Sequence, residues 1–140
     1  QAVQRVLSTD QLLDLQRDAA NVYVDPALIE YAVRMVSATR APQDLGLKDI
    51  GRYMLFGASP RASINLILAA RALALVRGRG YALPQDVRDL AHDVMRHRLV
   101  LSYEALSDNI SADELLNRML ERIPLPEVSL HERPTNRRYA

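Results

Sequence analysis

The sequence has no cysteine and no tryptophan, and its one phenylalanine is Phe56. Without thiols there are no disulfides, no thiolate metal ligands and no cysteine nucleophile, a usage compatible with a reducing, cytoplasmic setting. The shortage of large aromatics leaves few platforms on which bases or sugars stack. No apolar run reaches the roughly 18–20 residues that span a bilayer, so membrane insertion is not expected. The opening Gln1-Ala2-Val3-Gln4-Arg5 has neither an initiator Met nor the pattern of a secretory leader. It reads as the edge of a segment from a longer polypeptide. Lysine is nearly missing as well: Lys48 stands alone among 18 basic residues, the rest being Arg.

What is present is the balance of one soluble globular domain: 140 residues, 49% apolar and 25% charged. The net charge of +1 is unevenly spread. Residues 1–49 and 104–140 each carry a net −2, and residues 50–103 carry +5. An anionic partner would therefore be met by the middle of the chain.

Hydrophobic spacing predicts five helices. The first runs from about Leu7 to Val22, opened by Ser8 with Gln11 three residues on, and its inward face is Leu12, Leu15, Ala19 and Val22. Asp25-Pro26 opens the second as cap and first helical residue, with a buried stripe of Ile29, Ala32, Val33 and Val36. From Arg40 to Ala58 the pattern breaks at Pro42, Gly46, Gly51 and Gly57, leaving room for a short turn or strand within Leu47–Phe56. Ser59-Pro60 repeats the cap-and-proline logic for a third helix to about Arg77. That helix is apolar nearly all round, so it is expected to be central. Gly78 and Gly80 end it. Tyr81–Leu83 reads as a short strand able to pair with Leu99–Leu101. A fourth helix follows from Pro84 to about Arg98, burying Val87, Leu90, Ala91 and Val94. A fifth opens at Ser111 with Glu114 and turns Leu116, Met119, Leu120 and Ile123 inward. The fold class is all-α: a small helical bundle of about five helices with room for one very short two-stranded β pairing. Residues 1–7 read as a linker, 8–124 as the domain and 125–140 as a loose polar tail.

Several catalytic patterns fail on inspection. Gly46 and Gly51 have the spacing of a phosphate-binding loop, but Arg52-Tyr53 stands where Lys-Ser/Thr is required. Gly57-Ala58-Ser59 begins like a nucleophile elbow, yet Arg61 replaces its closing Gly. His92 and His97 lie roughly 140° apart around a helix, and His131 is remote, so no metal is expected. One segment remains: Gly57-Ala58-Ser59-Pro60-Arg61-Ala62. A helix start carries unpaired N–H groups and positive dipole, so a cation placed there calls for an anion. A phosphate supplies one, and so does a carboxylate such as Asp49 or Asp86; the residues alone leave both open.

This segment resembles the sensor-2 motif of the MoxR-family AAA+ ATPases and, more distantly, of magnesium-chelatase-type subunits. Further stretches resemble the same family's lid domain in order: Tyr23–Ile29 its hairpin link, Ala70–Ala74 through Gly78-Arg79-Gly80 its sensor helix and exit, Leu83–Val87 and His97–Leu99 the next helix. Together they cover roughly Val6 to Pro124. Gln43–Phe56 is the stretch least like the family. The resemblance implies a C-terminal lid that normally follows a P-loop core in one polypeptide. It implies Arg61 as the catalytic sensor contacting the γ-phosphate of ATP, and Arg61, Ser59 and Pro60 as the nucleotide-binding residues. ATP and Mg²⁺ then belong to the full-length parent, and the 140-residue chain alone is expected to bind neither and to be inactive. The implied partners are the N-terminal ATPase core, neighbouring subunits of a hexameric ring, and von Willebrand factor A-type proteins served by a chaperone-like remodeller. Two other classes compete: a nucleic-acid-binding module using Arg77, Arg79, Arg88, Arg96 and Arg98, and an interaction domain without nucleotide. The single Lys and the lack of helix-turn-helix spacing weigh against nucleic acid.

Overall fold

In the computed structural model, residues 4–128 are described; His131 and most of the expected tail lie outside them. Among the described residues the chain is all-α, with seven helices and one two-stranded ribbon: α1 (Thr9–Ala20), α2 (Pro26–Ala38), β1 (Met54–Phe56), α3 (Arg61–Val76), α4 (Pro84–Asp89), α5 (Ala91–Met95), β2 (Val100–Leu101), α6 (Tyr103–Ser107) and α7 (Ala112–Arg122). Short 3₁₀ turns sit at Pro42–Leu45, Gly51–Tyr53 and Arg96–Arg98.

The helix starts follow their local chemistry. Ser8 and Gln11 exchange side chain–backbone bonds of 2.8 and 3.2 Å at the head of α1. Asp25 accepts from the Ala27 N–H at 2.8 Å, with Pro26 as the first helical residue of α2. Ser111 accepts from the Glu114 N–H at 3.1 Å at α7. Ser102 caps α6, a helix of five residues that hydrophobic spacing does not reveal.

Helix α3 is the hub, packing against α1, α2, α4 and α5. Its inner face is Ala62, Leu66, Ala70 and Ala74, all fully buried, and the three alanines let neighbouring helices approach closely. The expectation of a central helix holds, while its outer face at 64, 68, 72 and 76 is exposed. The α2 stripe is turned by one position from the expected one. Leu28, Tyr31, Ala32, Met35 and Val36 are buried, whereas Ile29 and Val33 are each 48% exposed. Both 28 and 29, and both 32 and 33, are apolar, so periodicity fits either stripe; packing of α2 against α3, α4 and α7 selects the first. Helix α1 contributes no buried residue among those described, with Leu12 and Leu15 at 49% and 40% exposure. It touches the body mainly through α3, which leaves its apolar side half covered. The fifth expected stripe is correct: Leu116, Met119, Leu120 and Ile123 are all buried.

Two connections differ from expectation. The fourth helix bends at Leu90 (φ −94°, ψ −2°) into α4 and α5, without interrupting the buried line Val87, Ala91, Met95. The ribbon pairs β2 with β1, not with residues 81–83, in antiparallel register Phe56 with Val100 and Met54 with Leu101. Tyr81 forms a parallel bridge with Tyr23: the Tyr23 N–H donates to Gly80 O and the Ala82 N–H to Tyr23 O, both at 2.9 Å.

The reason lies in a buried carboxylate. Asp86 is fully buried and accepts from Arg77 at 2.7 Å, from both Arg79 terminal nitrogens at 2.6 and 2.8 Å, and from the Leu83 N–H at 2.7 Å. Arg79 also donates to Tyr81 O at 3.1 Å. This network fixes the loop after α3 against the α1–α2 link and away from residues 99–101. Gly78 takes the left-handed conformation (φ +72°) that the turn requires. Burial pushes the Asp86 carboxyl up, but the bonds from Arg79, Leu83 and Arg77 outweigh it and hold it below its ordinary range. A depressed native value supplies stability that is complete well above the unfolded carboxylate pKa of about 3.9 and is lost as pH falls through the native one. Acid unfolding is expected to set in below about pH 5 and to be shallower in Asp86→Asn. Asp86→Ala is expected to cost about 3–5 kcal/mol in urea titrations at neutral pH, because it strands cations that now share one buried partner.

Candidate functional site at the start of the third helix

The segment Gly57–Ala62 connects β1 to α3 and is fixed from below by α2. Thr39, the residue after α2, is buried, and its hydroxyl donates to Val36 O at 2.6 Å and accepts from the Ala58 N–H at 2.9 Å. Gly57 lies directly on the Thr39 carbonyl: a Cβ there would stand 2.3 Å from that oxygen. Ala58 and Ala62 are fully buried on either side of the turn. The motif is thus anchored at 57, 58 and 62, and projects 59, 60 and 61 outward, all three exposed.

The helix begins one residue later than Ser59-Pro60 suggests. Pro60 occupies the cap position (φ −54°, ψ −26°), and Arg61 is the first helical residue. Ser59 makes no side-chain cap. The Ala62 N–H that its hydroxyl would take already donates to Ser59 O at 2.9 Å, and Ser63 N–H donates to Pro60 O at 3.1 Å. This tight first turn replaces the side-chain cap. Pro60 has no N–H to leave unsatisfied.

Arg61 is exposed and has no hydrogen-bond or ion-pair partner among the described residues. Neither carboxylate considered for it is available. Asp49 pairs with Arg118, whose hydrogen bond holds the Asp49 carboxyl below its usual range. Asp86 is filled by Arg77 and Arg79. The first turn of α3 carries no acidic side chain either. A planar guanidinium therefore stands at a helix start with its donors open to solvent, an arrangement suited to an incoming oxyanion.

Other candidate groups are occupied. His92 Nδ1 lies 2.9 Å from Asp113, which also accepts from Arg96 Nε at 2.9 Å; the His92 bond leads in lowering the Asp113 carboxyl. No cluster of His, Asp or Glu suited to a metal occurs among the described residues. Of the five arginines considered for nucleic acid, Arg77, Arg79 and Arg96 are in ion pairs and Arg98 donates to Val94 O. Sequence reasoning located the Arg61 motif but not Thr39, whose single hydroxyl 19 residues upstream has no local signature.

Comparison with known proteins gives this architecture its family. Residues 48–119 match the AAA lid domain. Chaperone MoxR1 of Mycobacterium tuberculosis is 54% identical over 125 residues, 89% of this chain and 33% of that protein. Protein MoxR of Paracoccus denitrificans is 36% identical over 113 residues, 76% of this chain and 33% of that protein. A crystal structure from Cytophaga hutchinsonii, named a "putative ATPase", has a TM-score of 0.84 at 34% identity, covering 89% of this chain and 38% of that one. The chain belongs to the AAA lid domain family. It spans about a third of the length of the curated relatives it matches. No helix among the described residues is long and apolar enough to cross a membrane.

The packing at Gly57 makes a direct test. Gly57→Ala is expected to destabilise the chain by about 1–3 kcal/mol, since the added methyl meets backbone that cannot rotate away. Gly51→Ala and Gly80→Ala, with nothing within 4 Å of the added carbon, are the controls and should change the denaturation midpoint little.

Proposed function

We propose that Arg61 is the sensor of the ATP site in the complete polypeptide, and that this lid couples ATP hydrolysis to movement of a chaperone-like remodeller. The observation that carries the reading is the exposed, unpartnered guanidinium of Arg61 on a turn held in place by Thr39, Gly57 and Ala58. A cation that serves only stability is ordinarily paired or dispersed; this one is presented.

The residues fit a phosphate but not a whole nucleotide site. Arg61 offers a fork of donors, and the α3 start adds favourable dipole. The chain has no loop lysine and no acidic cluster for Mg²⁺ among the described residues. Both belong, on this reading, to an N-terminal core in the same polypeptide, where Mg²⁺-ATP supplies the transferable phosphoryl group. Arg61 then stabilises charge on the terminal phosphate, and its contact is lost when that phosphate leaves. Ser59 and Pro60 contribute the shape of the turn and leave its approach open.

The surface around Arg61 supports a covered rather than a solvated position. Leu68 and Ala72 lie within about 20° of Arg61 around the helix, flanked by Ile64 and Val76. All four are exposed. A groove of about 680 Å³ opens beside this ridge against α1, and one of about 210 Å³ against α2. An apolar ridge ending in a cation suits a seat on the ATPase core with the nucleotide at its end. Neighbouring subunits of a hexameric ring, von Willebrand factor A-type partners and a cytoplasmic setting complete the reading by family resemblance.

Arg61→Ala in the complete polypeptide is expected to lower ATP turnover by about 10-fold to 1,000-fold, as for loss of one charge-stabilising contact. The melting temperature of the 140-residue chain should be unchanged by the same substitution. A large loss of melting temperature with normal turnover would overturn the assignment. The 140-residue chain alone, given Mg²⁺-ATP, is expected to show no turnover in a phosphate-release assay.

A further inference from the structure

We infer that Thr39 is the positioning residue for Arg61: its hydroxyl ties the end of α2 to the turn that aims the guanidinium. This rests on the reading of Arg61 above and names a second residue for the same site.

The start of α3 has no side-chain N-cap: its first turn closes on itself, Ala62 N–H donating to Ser59 O and Ser63 to Pro60 O, and these bonds leave the path of the chain into it unset relative to the rest of the fold. That path is fixed across the fold. The Thr39 hydroxyl uses its proton on Val36 O at 2.6 Å, which orients its lone pairs, and one of these accepts the Ala58 N–H at 2.9 Å. The backbone at Gly57 rests against the Thr39 carbonyl with no room for a Cβ. Two adjacent residues are thereby held on one residue, the cap that ends α2. Two residues separate Ala58 from Arg61, Ser59 and Pro60, and the second has a fixed φ. Any shift of α2 relative to α3 is passed to Arg61 through this contact. The geometry explains why a hydroxyl is needed: Ala58 N–H is buried, and a methyl in place of Oγ would leave it without an acceptor. Valine matches threonine in shape and lacks the hydroxyl, losing the acceptor for Ala58 N–H together with the donor to Val36 O; serine keeps both and loses the methyl.

The test uses Thr39→Val, Thr39→Ser, Arg61→Ala and the Thr39→Val/Arg61→Ala double variant in the complete polypeptide. Steady-state ATP hydrolysis and amide hydrogen exchange over residues 57–62 are both read. Thr39→Val is expected to speed exchange at Ala58 through Ala62 and to lower kcat about 10-fold to 100-fold, the scale of a misplaced catalytic contact. Thr39→Ser should stay close to the parent in both. The double variant should be no slower than Arg61→Ala alone, because a positioning residue has no effect once its target is gone. Unchanged exchange in Thr39→Val overturns the inference, whatever Arg61 does. So does a normal kcat in Thr39→Val beside an impaired Arg61→Ala, or a double variant in which the two losses multiply. Normal turnover in Arg61→Ala itself overturns the sensor reading and with it the catalytic part of this inference. The exchange data then decide separately whether Thr39 holds the turn.

Discussion

A carboxylate with no access to water organises this domain. Asp86 is stable as an anion in the interior only because four donors surround it, three from Arg77 and Arg79 and one from the Leu83 backbone. That requirement fixes the loop after α3 in one shape. With the loop fixed, Gly80 and Ala82 present the backbone edge that pairs with Tyr23, and the α1–α2 link is held in turn. The interaction therefore acts less as a source of net energy than as a selector among loop paths, since burying ions costs most of what their attraction returns. The hub helix can meet four others at once because both of its ends are determined. Its exit is fixed by Asp86 and its entry by Thr39.

The two faces of α3 divide the work. The inner one, Ala62, Leu66, Ala70 and Ala74 at four-residue spacing, is fully buried, and a larger side chain at its alanines has nowhere to go. The outer one carries Ile64, Leu68, Val76 and Arg61 into solvent. A helix apolar on both sides is ordinarily explained by complete burial; here the second side is the feature that needs a partner. The ion pairs of Arg77, Arg79 and Arg96 show the opposite tendency, with the positive charge of the central segment spent within the fold. The +5 balance of residues 50–103 thus overstates the charge available to an outside anion.

Much of the architecture was legible in the sequence where one residue decides one local bond. Ser8, Asp25 and Ser111 each mark a helix start, and each caps as expected. Ser59 fails by the same logic, because a tight first turn had already taken the N–H it would cap. The face of α7 was legible because its pattern admits one stripe. The face of α2 was not, because adjacent apolar pairs at 28–29 and 32–33 fit two stripes and only neighbouring helices choose between them. Pairing of 81–83 with 99–101 was plausible on composition, yet a contact between Asp86 and Arg79 excludes it. The site itself divides similarly. Arg61 was visible as a charge in the wrong place for its own helix, whereas Thr39 is one threonine at a helix end until the fold brings Ala58 to it.

Helix α1 gives the domain a gradient of firmness. It has well-formed ends, with a reciprocal Ser8–Gln11 cap and Arg71 donating to Ala20 O at 3.3 Å, yet no residue along it is fully withdrawn from water among those described. Opening it exposes little new apolar surface, while opening α2 or α7 uncovers the core. The lid is thus a firm block carrying one loosely seated helix. A helix of that kind can separate, slide or re-seat on α3 without the rest of the bundle losing its order.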